Sequence, residues 1–137
     1  MRTIKFRGKT HGNGKWYYGS LVYSEEINAA IYFQTGNGLV KVMDWVYVIP
    51  ETIGQFTGLY DCDGKEIYEG DILRFGNSKC GVCEVKWDES IAAFCICFYF
   101  KDEIGSRPLG GGVICERKVE VIGNIYDNSE LLKGGEK

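Results

Sequence analysis

The sequence has only 2 prolines and 1 histidine among its 137 residues, and it has no long apolar run. No stretch reaches the roughly 18 apolar residues that a membrane-spanning helix needs. Charged and apolar residues alternate from Arg2 to Arg7, where a signal peptide would have its apolar segment. A single histidine, His11, excludes a metal site made of several histidines, and its polar loop predicts a solvated turn residue. We expect a cytoplasmic protein whose cysteines are reduced thiols.

The sequence also lacks a net positive charge, since its net charge is −3, and this excludes a uniformly basic surface for nucleic acid. The charge is unevenly spread, however. The first 24 residues carry five bases and no acid, whereas the rest carries all 19 acids against 11 bases. This predicts a local basic region at the start of an acidic protein.

What the sequence has in abundance is glycine, with 19 residues, and aromatic residues, at 14%. Such a composition favours short strands and tight turns over helices. The alternation of Ile4 and Phe6 with Lys5 and Arg7 predicts a half-buried first strand. Asn13-Gly14 predicts a hairpin to a return strand in which Gly19 marks a bulge or a close approach. Residues 24–30 fit either a helical turn capped by Ser24 or a hairpin loop.

The clearest turn signals lie in residues 54–73. Two short apolar strands flank Asp63-Gly64, and another strand follows Gly70-Asp71. Nearby acids could hold magnesium or perform acid–base chemistry, but we favour turn capping by this acidic group, which comprises Glu66, Glu69 and Asp71.

From about residue 56 the pattern of five short strands is typical of a small SH3-like barrel. Residues 105–112 read as a mobile loop, 113–117 as a strand, and Asn128 or Ser129 as the cap of a helical turn. Six aromatic side chains are expected in the core: Phe6, Trp45, Tyr68, Trp87, Phe94 and Phe98.

Nearly the whole chain resembles the YopX family of phage and prophage proteins. The resemblance lies in several motifs: Ile4 to Lys9, Trp16 to Gly19, Ile49 to Leu59, Asp63 to Ile72, Val85 to Asp88 and Val121 to Asn128. It implies a mostly β protein with an SH3-like C-terminal barrel, encoded in phage or prophage genomes of bacteria and located in the cytoplasm of the bacterial host cell. It implies no catalytic residues, and the cysteines are not part of the motifs.

The cysteines offer one weak candidate metal site. Cys80 and Cys83 have the spacing of half a zinc site, which Cys95, Cys97 or Cys115 could complete. In a plain strand, however, residues three apart point to opposite faces. We therefore expect buried apolar cysteines and no cofactor.

The basic N-terminal residues are interleaved with aromatic ones, which is how single-stranded nucleic acids are held. The candidate contact residues are Arg2, Lys5, Arg7, Lys9, Lys15 and Trp16. The alternative interpretation is the solvated face of a hairpin.

Taken together, the sequence predicts a mainly β fold, with an N-terminal β-hairpin lobe (1–55) packed on a five-stranded SH3-like barrel (56–127). A short helical turn and tail (128–137) follow. We expect a phage accessory protein, not an enzyme, acting through protein–protein contact or self-assembly as a homo-oligomer. Nucleic-acid binding is the alternative. Neither a membrane partner nor a small-molecule substrate is expected.

Overall fold

The computed structural model describes residues 1–26, 28–76, 81–100 and 103–134. The chain divides into two compact units, Met1–Phe56 and Thr57–Lys137. The described residues form two antiparallel sheets, of six and five strands, with two short helices and one 3-10 turn. The prediction of a mainly β fold is confirmed.

The first unit is an antiparallel sheet in the order β4-β3-β2-β1-β5. Its strands are β1 (Phe6–Lys9), β2 (Trp16–Ser24), β3 (Asn28–Thr35), β4 (Val42–Tyr47) and the start of β5 (Gly54–Tyr60). Of the two alternatives for residues 24–30, the hairpin is correct: Ser24 pairs with Asn28, whose φ of 60° places it in the left-handed region of a tight turn. Pro50 begins the 3-10 turn Pro50–Thr52, since its missing N–H costs nothing there.

One face of this sheet carries the apolar core of the first unit. Ala29, Ile31 and Val48 are buried, and partly buried side chains pack around them: Phe6, Tyr17, Leu21, Phe33, Val46 and Ile53. A methyl group at Gly8 would lie 2.7 Å from a Val48 methyl carbon, so Val48 packs directly on the β1 backbone.

In the second unit, the end of β5 pairs with β6, and the other strands form the five-stranded sheet in the order β10-β9-β8-β7-β11. The strands are β6 (Glu66–Tyr68), β7 (Asp71–Phe75), β8 (Val82–Asp88), β9 (Ala93–Phe100), β10 (Glu103–Pro108) and β11 (Val119–Asn124). The predicted five-stranded SH3-like barrel is wrong, because within the described ranges β10 and β11 end the sheet and do not close it. Ile67 and Ile114 join the apolar core on this sheet, so side chains from other elements cover its face.

The segment between β10 and β11 also differs from the prediction. Residues 105–108 belong to β10, and the expected strand at 113–117 is the helix α1 (Gly111–Arg117). The sequence predicts no helix here because three consecutive glycines lie at its start and a short β-branched run follows them. The helix buries Ile114 and ends at Lys118, which has the left-handed conformation. The predicted C-terminal helical turn is confirmed as α2 (Glu130–Gly134). Neither of these helices, in the part of the chain that is described, is long and apolar enough to cross a membrane.

The expected aromatic core is only partly correct. Tyr68 is buried, and Phe6, Phe94 and Phe98 are partly buried. Trp45 and Trp87 are 46% and 45% exposed, so their assignment to the core is wrong. Both indoles instead make edge-to-face contacts at the surface, Trp45 with Tyr47 and Trp87 with Phe94.

Candidate functional site

The basic residues of the first strand lie on the side of the sheet opposite the apolar core. Arg7 pairs with Tyr18 and Lys9 with Trp16, while Phe6 pairs with Gly19. Because side chains alternate along a strand, Lys5, Arg7 and Lys9 share one face with Trp16 and Tyr18. The structure thus brings together four of the six predicted contact residues.

The cations on this face are held against aromatic rings. The guanidinium carbon of Arg7 lies 4.8 Å from the ring centroid of Trp16, and the ammonium of Lys5 lies 5.5 Å from that of Phe56. Arg7 is only 5% exposed, so its guanidinium has little access to solvent and serves to position the Trp16 ring. The remaining predicted residues, Arg2 and Lys15, are exposed and lie before β1 and in the β1–β2 turn.

The same face continues across β3 and β4 as a series of aromatic side chains. In register, Ser20 pairs with Tyr32, Tyr32 with Trp45, and Ala30 with Tyr47. The rings of Tyr32 and Trp45 are inclined by 25° with centroids 6.2 Å apart, and Tyr47 meets Trp45 edge-on at 4.8 Å. We call this surface the aromatic face; its residues are Trp16, Tyr18, Tyr32, Trp45 and Tyr47.

Sequence reasoning missed the β3 and β4 part of the aromatic face. The expectation of a buried Trp45 rests on the general tendency of aromatic side chains to lie in the core. A signal was present, since Trp45 and Tyr47 alternate with Val46, which packs against the core. The strand register that decides which of the two sets faces solvent depends on pairing with β3.

A second feature of the first unit is the end of the β3–β4 hairpin. Every residue from 34 to 43 is exposed, and we call this segment the hairpin arm. Its apolar residues are Leu39, Val40, Val42 and Met43. Gly36 and Gly38 have φ values of 105° and 64°, as the predicted glycine turn requires.

The structure describes only one of the two cysteines of the candidate zinc pair. Cys83 is buried in the apolar core of the second unit, and burial raises its pKa to about 12, so it stays a neutral thiol. Cys80 lies outside the described residues. Within the described ranges, the one group of three possible metal ligands is Cys62, Asp63 and Glu120. Glu120 already forms an ion pair with Arg74 at 2.7 Å.

Of the three predicted turn-capping acids, the structure confirms this role for Asp71. The Asp71 carboxylate accepts a hydrogen bond from the Tyr68 amide at 2.7 Å, and Glu66 accepts one from the Tyr68 hydroxyl at 3.1 Å. Asp61 accepts amide hydrogen bonds from Asp63 and Lys65 within its own turn. His11 is exposed in the β1–β2 turn, as expected.

One buried carboxylate lies apart from the turns. Glu84 on β8 is buried, and its carboxylate lies 3.9 Å from the Lys86 ammonium and 3.5 Å from the Tyr99 hydroxyl. Burial raises its pKa, although Lys86 and Tyr99 oppose the rise. Glu84 and Lys86, two positions apart on one strand, therefore form an ion pair.

Comparison with known proteins then decides the family. The family model described as YopX protein matches residues 5–133, nearly the whole chain. The chain belongs to the YopX family. The resemblance seen in the sequence is thereby confirmed.

No curated protein matches this YopX-family chain. Among solved structures it is similar to the crystal structure of protein EF1440 from Enterococcus faecalis. The TM-score is 0.53 with 21% identity, over 96% of this chain and 99% of that one. At this identity the likeness shows the fold alone.

Proposed function

We propose that this YopX-family chain is a phage or prophage accessory protein of the bacterial cytoplasm that works by protein–protein contact, including self-assembly, and not as an enzyme. The observation that carries the proposal is the hairpin arm. Ten consecutive residues, 34–43, are exposed, and four of them are apolar.

The apolar tip of the arm is unusual for a hairpin that faces only water. Turn residues are normally polar or glycine, and Asn37 with Gly36 and Gly38 already supplies that chemistry. Leu39 and Val40, which follow the turn, add apolar surface that would gain about 25 cal/mol per Å² on burial. A cluster of exposed apolar side chains is typical of a contact site for another protein.

The β4 edge beside the arm is partly blocked against simple strand addition. The Val48 amide donates a hydrogen bond to the Ala29 carbonyl. Because the amides of alternate residues face the partner strand in an antiparallel pair, the Trp45 amide points away from β3, toward the open edge. The Asp44 carboxylate accepts a hydrogen bond from that amide at 2.8 Å. A charged, self-capped edge disfavours edge-to-edge pairing, and this favours contact through the side chains of the arm.

The test is the oligomeric state in solution by light scattering coupled to size exclusion. We expect the wild type to associate at micromolar concentration and the variant Leu39→Ser/Val40→Ser to be monomeric. The matched control is Ile91→Ser/Ile104→Ser, which changes two exposed apolar residues of the second unit and should associate like the wild type. A wild type that stays monomeric at all concentrations would contradict self-assembly.

A further inference from the structure

The aromatic face carries an inference that does not depend on the hairpin arm. We propose that this face binds single-stranded nucleic acid, with bases stacking on the rings of β3 and β4 and phosphates held by Lys9 of β1 and by Lys5, which precedes this strand. Stacking on an open sheet surface is a general way of holding unpaired bases, because every base has a π-face.

The dimensions of the face suit a short extended strand. Trp16 and Tyr18 lie on β2, Tyr32 on β3, and Trp45 and Tyr47 on β4. The three strand spacings from β1 to β4 amount to about 14 Å. Trp45 and Tyr47 are about half exposed, so ring surface is available to a ligand.

Charge complementarity selects a polyanion as the occupant. Residues 1–56 hold six lysines and arginines against four acids, whereas residues 57–137 hold ten against fifteen. None of these four acids of the first unit lies at a register position of the aromatic face. Asp44 pairs with Phe33, whose side chain belongs to the core side, and the others lie in the β2–β3 turn and the 3-10 turn: Glu25, Glu26 and Glu51.

The roles of the cations differ. Arg7 is buried under Trp16 and acts as a positioning residue for that ring. Lys5 and Lys9 are half-buried on the same side of β1, and their long side chains can reach a phosphate while their stems pack on the sheet. An acidic protein would pair with these lysines but would not need the adjoining rings, so the combination favours nucleic acid.

The experiment is fluorescence anisotropy of labelled 20-nucleotide oligo(dT) and oligo(U) with the full chain at low salt. We expect binding of single strands in preference to a duplex of equal length. The variant Trp45→Ala should bind about tenfold more weakly, the effect of one lost base stack. Trp45→Phe should stay within about twofold of the wild type, since phenylalanine keeps an aromatic face.

Trp87→Ala is the matched control, because Trp87 has the same exposure as Trp45 and a similar edge-to-face partner but lies in the second unit. It should bind like the wild type. Circular dichroism of each variant verifies folding.

The lysines are tested by the salt dependence of binding, measured as the slope of the logarithm of the binding constant against the logarithm of the salt concentration. Lys5→Ala/Lys9→Ala should lower the magnitude of this slope by about 1.4, or about 0.7 for each lost phosphate contact. Arg107→Ala/Arg117→Ala, which removes two exposed charges of the second unit, should leave that slope unchanged.

Three results would overturn the proposal. The first is no anisotropy change at low salt. The second is equal affinity for duplex and single strand, which indicates charge without stacking. The third is an equal loss of affinity in Trp45→Ala and Trp87→Ala. Loss of self-association in Trp45→Ala with no oligonucleotide binding by the wild type would assign the aromatic face to a protein partner instead.

Discussion

The carboxylate of Asp61 accepts a hydrogen bond from the backbone amide of Val121, 60 residues further along the chain, at 3.0 Å. The same carboxylate accepts amide hydrogen bonds from Asp63 and Lys65. One buried side chain therefore shapes the β5–β6 turn and attaches it to β11. The three amides that it binds lose their acceptor if it is removed.

Asp61→Ala should lower the free energy of unfolding by about 2 to 3 kcal/mol, because three part-buried amides lose a charged acceptor. Urea denaturation followed by circular dichroism measures the change. Asp63→Ala, the exposed aspartate of the same turn, is the control and should cost less than about 0.5 kcal/mol. Equal losses in the two variants would contradict the role of Asp61.

The contribution of Asp61 should also depend on pH. Burial raises the pKa of this carboxyl, but the amide hydrogen bonds from Val121, Lys65 and Asp63 outweigh it and hold the pKa below its usual value. The stabilisation is therefore present above the unfolded-state pKa of about 3.9 and is lost as the pH falls through the lower folded-state pKa. The difference in the free energy of unfolding between wild type and Asp61→Ala should reach its full size at pH 6 and should shrink below about pH 4. A difference that is independent of pH would argue against an ionised Asp61.

Glu84 should show the opposite dependence, because burial raises its pKa in the folded state despite Lys86 and Tyr99. Its ionisation then opposes folding, so the cost appears as the pH rises above the unfolded-state value of about 4.3. Glu84→Gln should be more stable than the wild type at pH 7 and nearly equal to it at pH 4. The exposed turn residue Glu89, changed to Gln, supplies the control. Lower stability of Glu84→Gln at pH 7 would show that the ion pair with Lys86 outweighs burial.

The thiols should differ sharply in reactivity. Cys62 and Cys115 are exposed, whereas Cys83 is buried with a pKa of about 12. Desolvation and the carboxylates of Asp63 and Glu120 also raise the pKa of Cys62. Iodoacetamide at pH 8, with peptide mass spectrometry, should label Cys115 first, then Cys62, and Cys83 only after unfolding. Early labelling of Cys83 in the native protein would contradict its place in the core.

Gly19 should be intolerant of any side chain. A methyl group there would lie 2.0 Å from the carbonyl oxygen of Tyr32, a backbone atom that cannot move without shifting β3. Gly19→Ala should cost about 1 to 3 kcal/mol in thermal or urea unfolding. Gly12→Ala, where a methyl group meets nothing within 4 Å, is the control and should be nearly neutral. A neutral Gly19→Ala would mean that β2 and β3 are less closely paired than in this structure.

Gly19 also illustrates how far local sequence signals reach. A glycine within an alternating strand predicted a bulge or a close approach, and the close approach to Tyr32 is confirmed. The β1–β2 hairpin, the glycine turn at residues 36–38 and the turn-capping acids follow from local chemistry in the same way. Such features depend only on a few residues that are neighbours in the sequence, so they can be predicted without knowledge of the tertiary structure.

The predictions that the structure contradicts depend on contacts between residues that are far apart in the sequence. Five strands with tight turns fit either a closed barrel or an open sheet, and the choice depends on what β10 and β11 pair with. The helix α1 was hidden because Val113 and Ile114 favour strands locally, whereas burial of Ile114 against the second-unit core stabilises a helix.

The sequence by itself determined the family, the mainly β class, and the first strand with its cations on one side. Only the tertiary structure decided that Trp45 faces solvent beside Tyr32, because a strand has two faces and its partner strand selects which one is buried. The same holds for the hairpin arm. Its sequence predicts only a glycine turn between two apolar runs. The exposure of these residues depends on how the sheet packs.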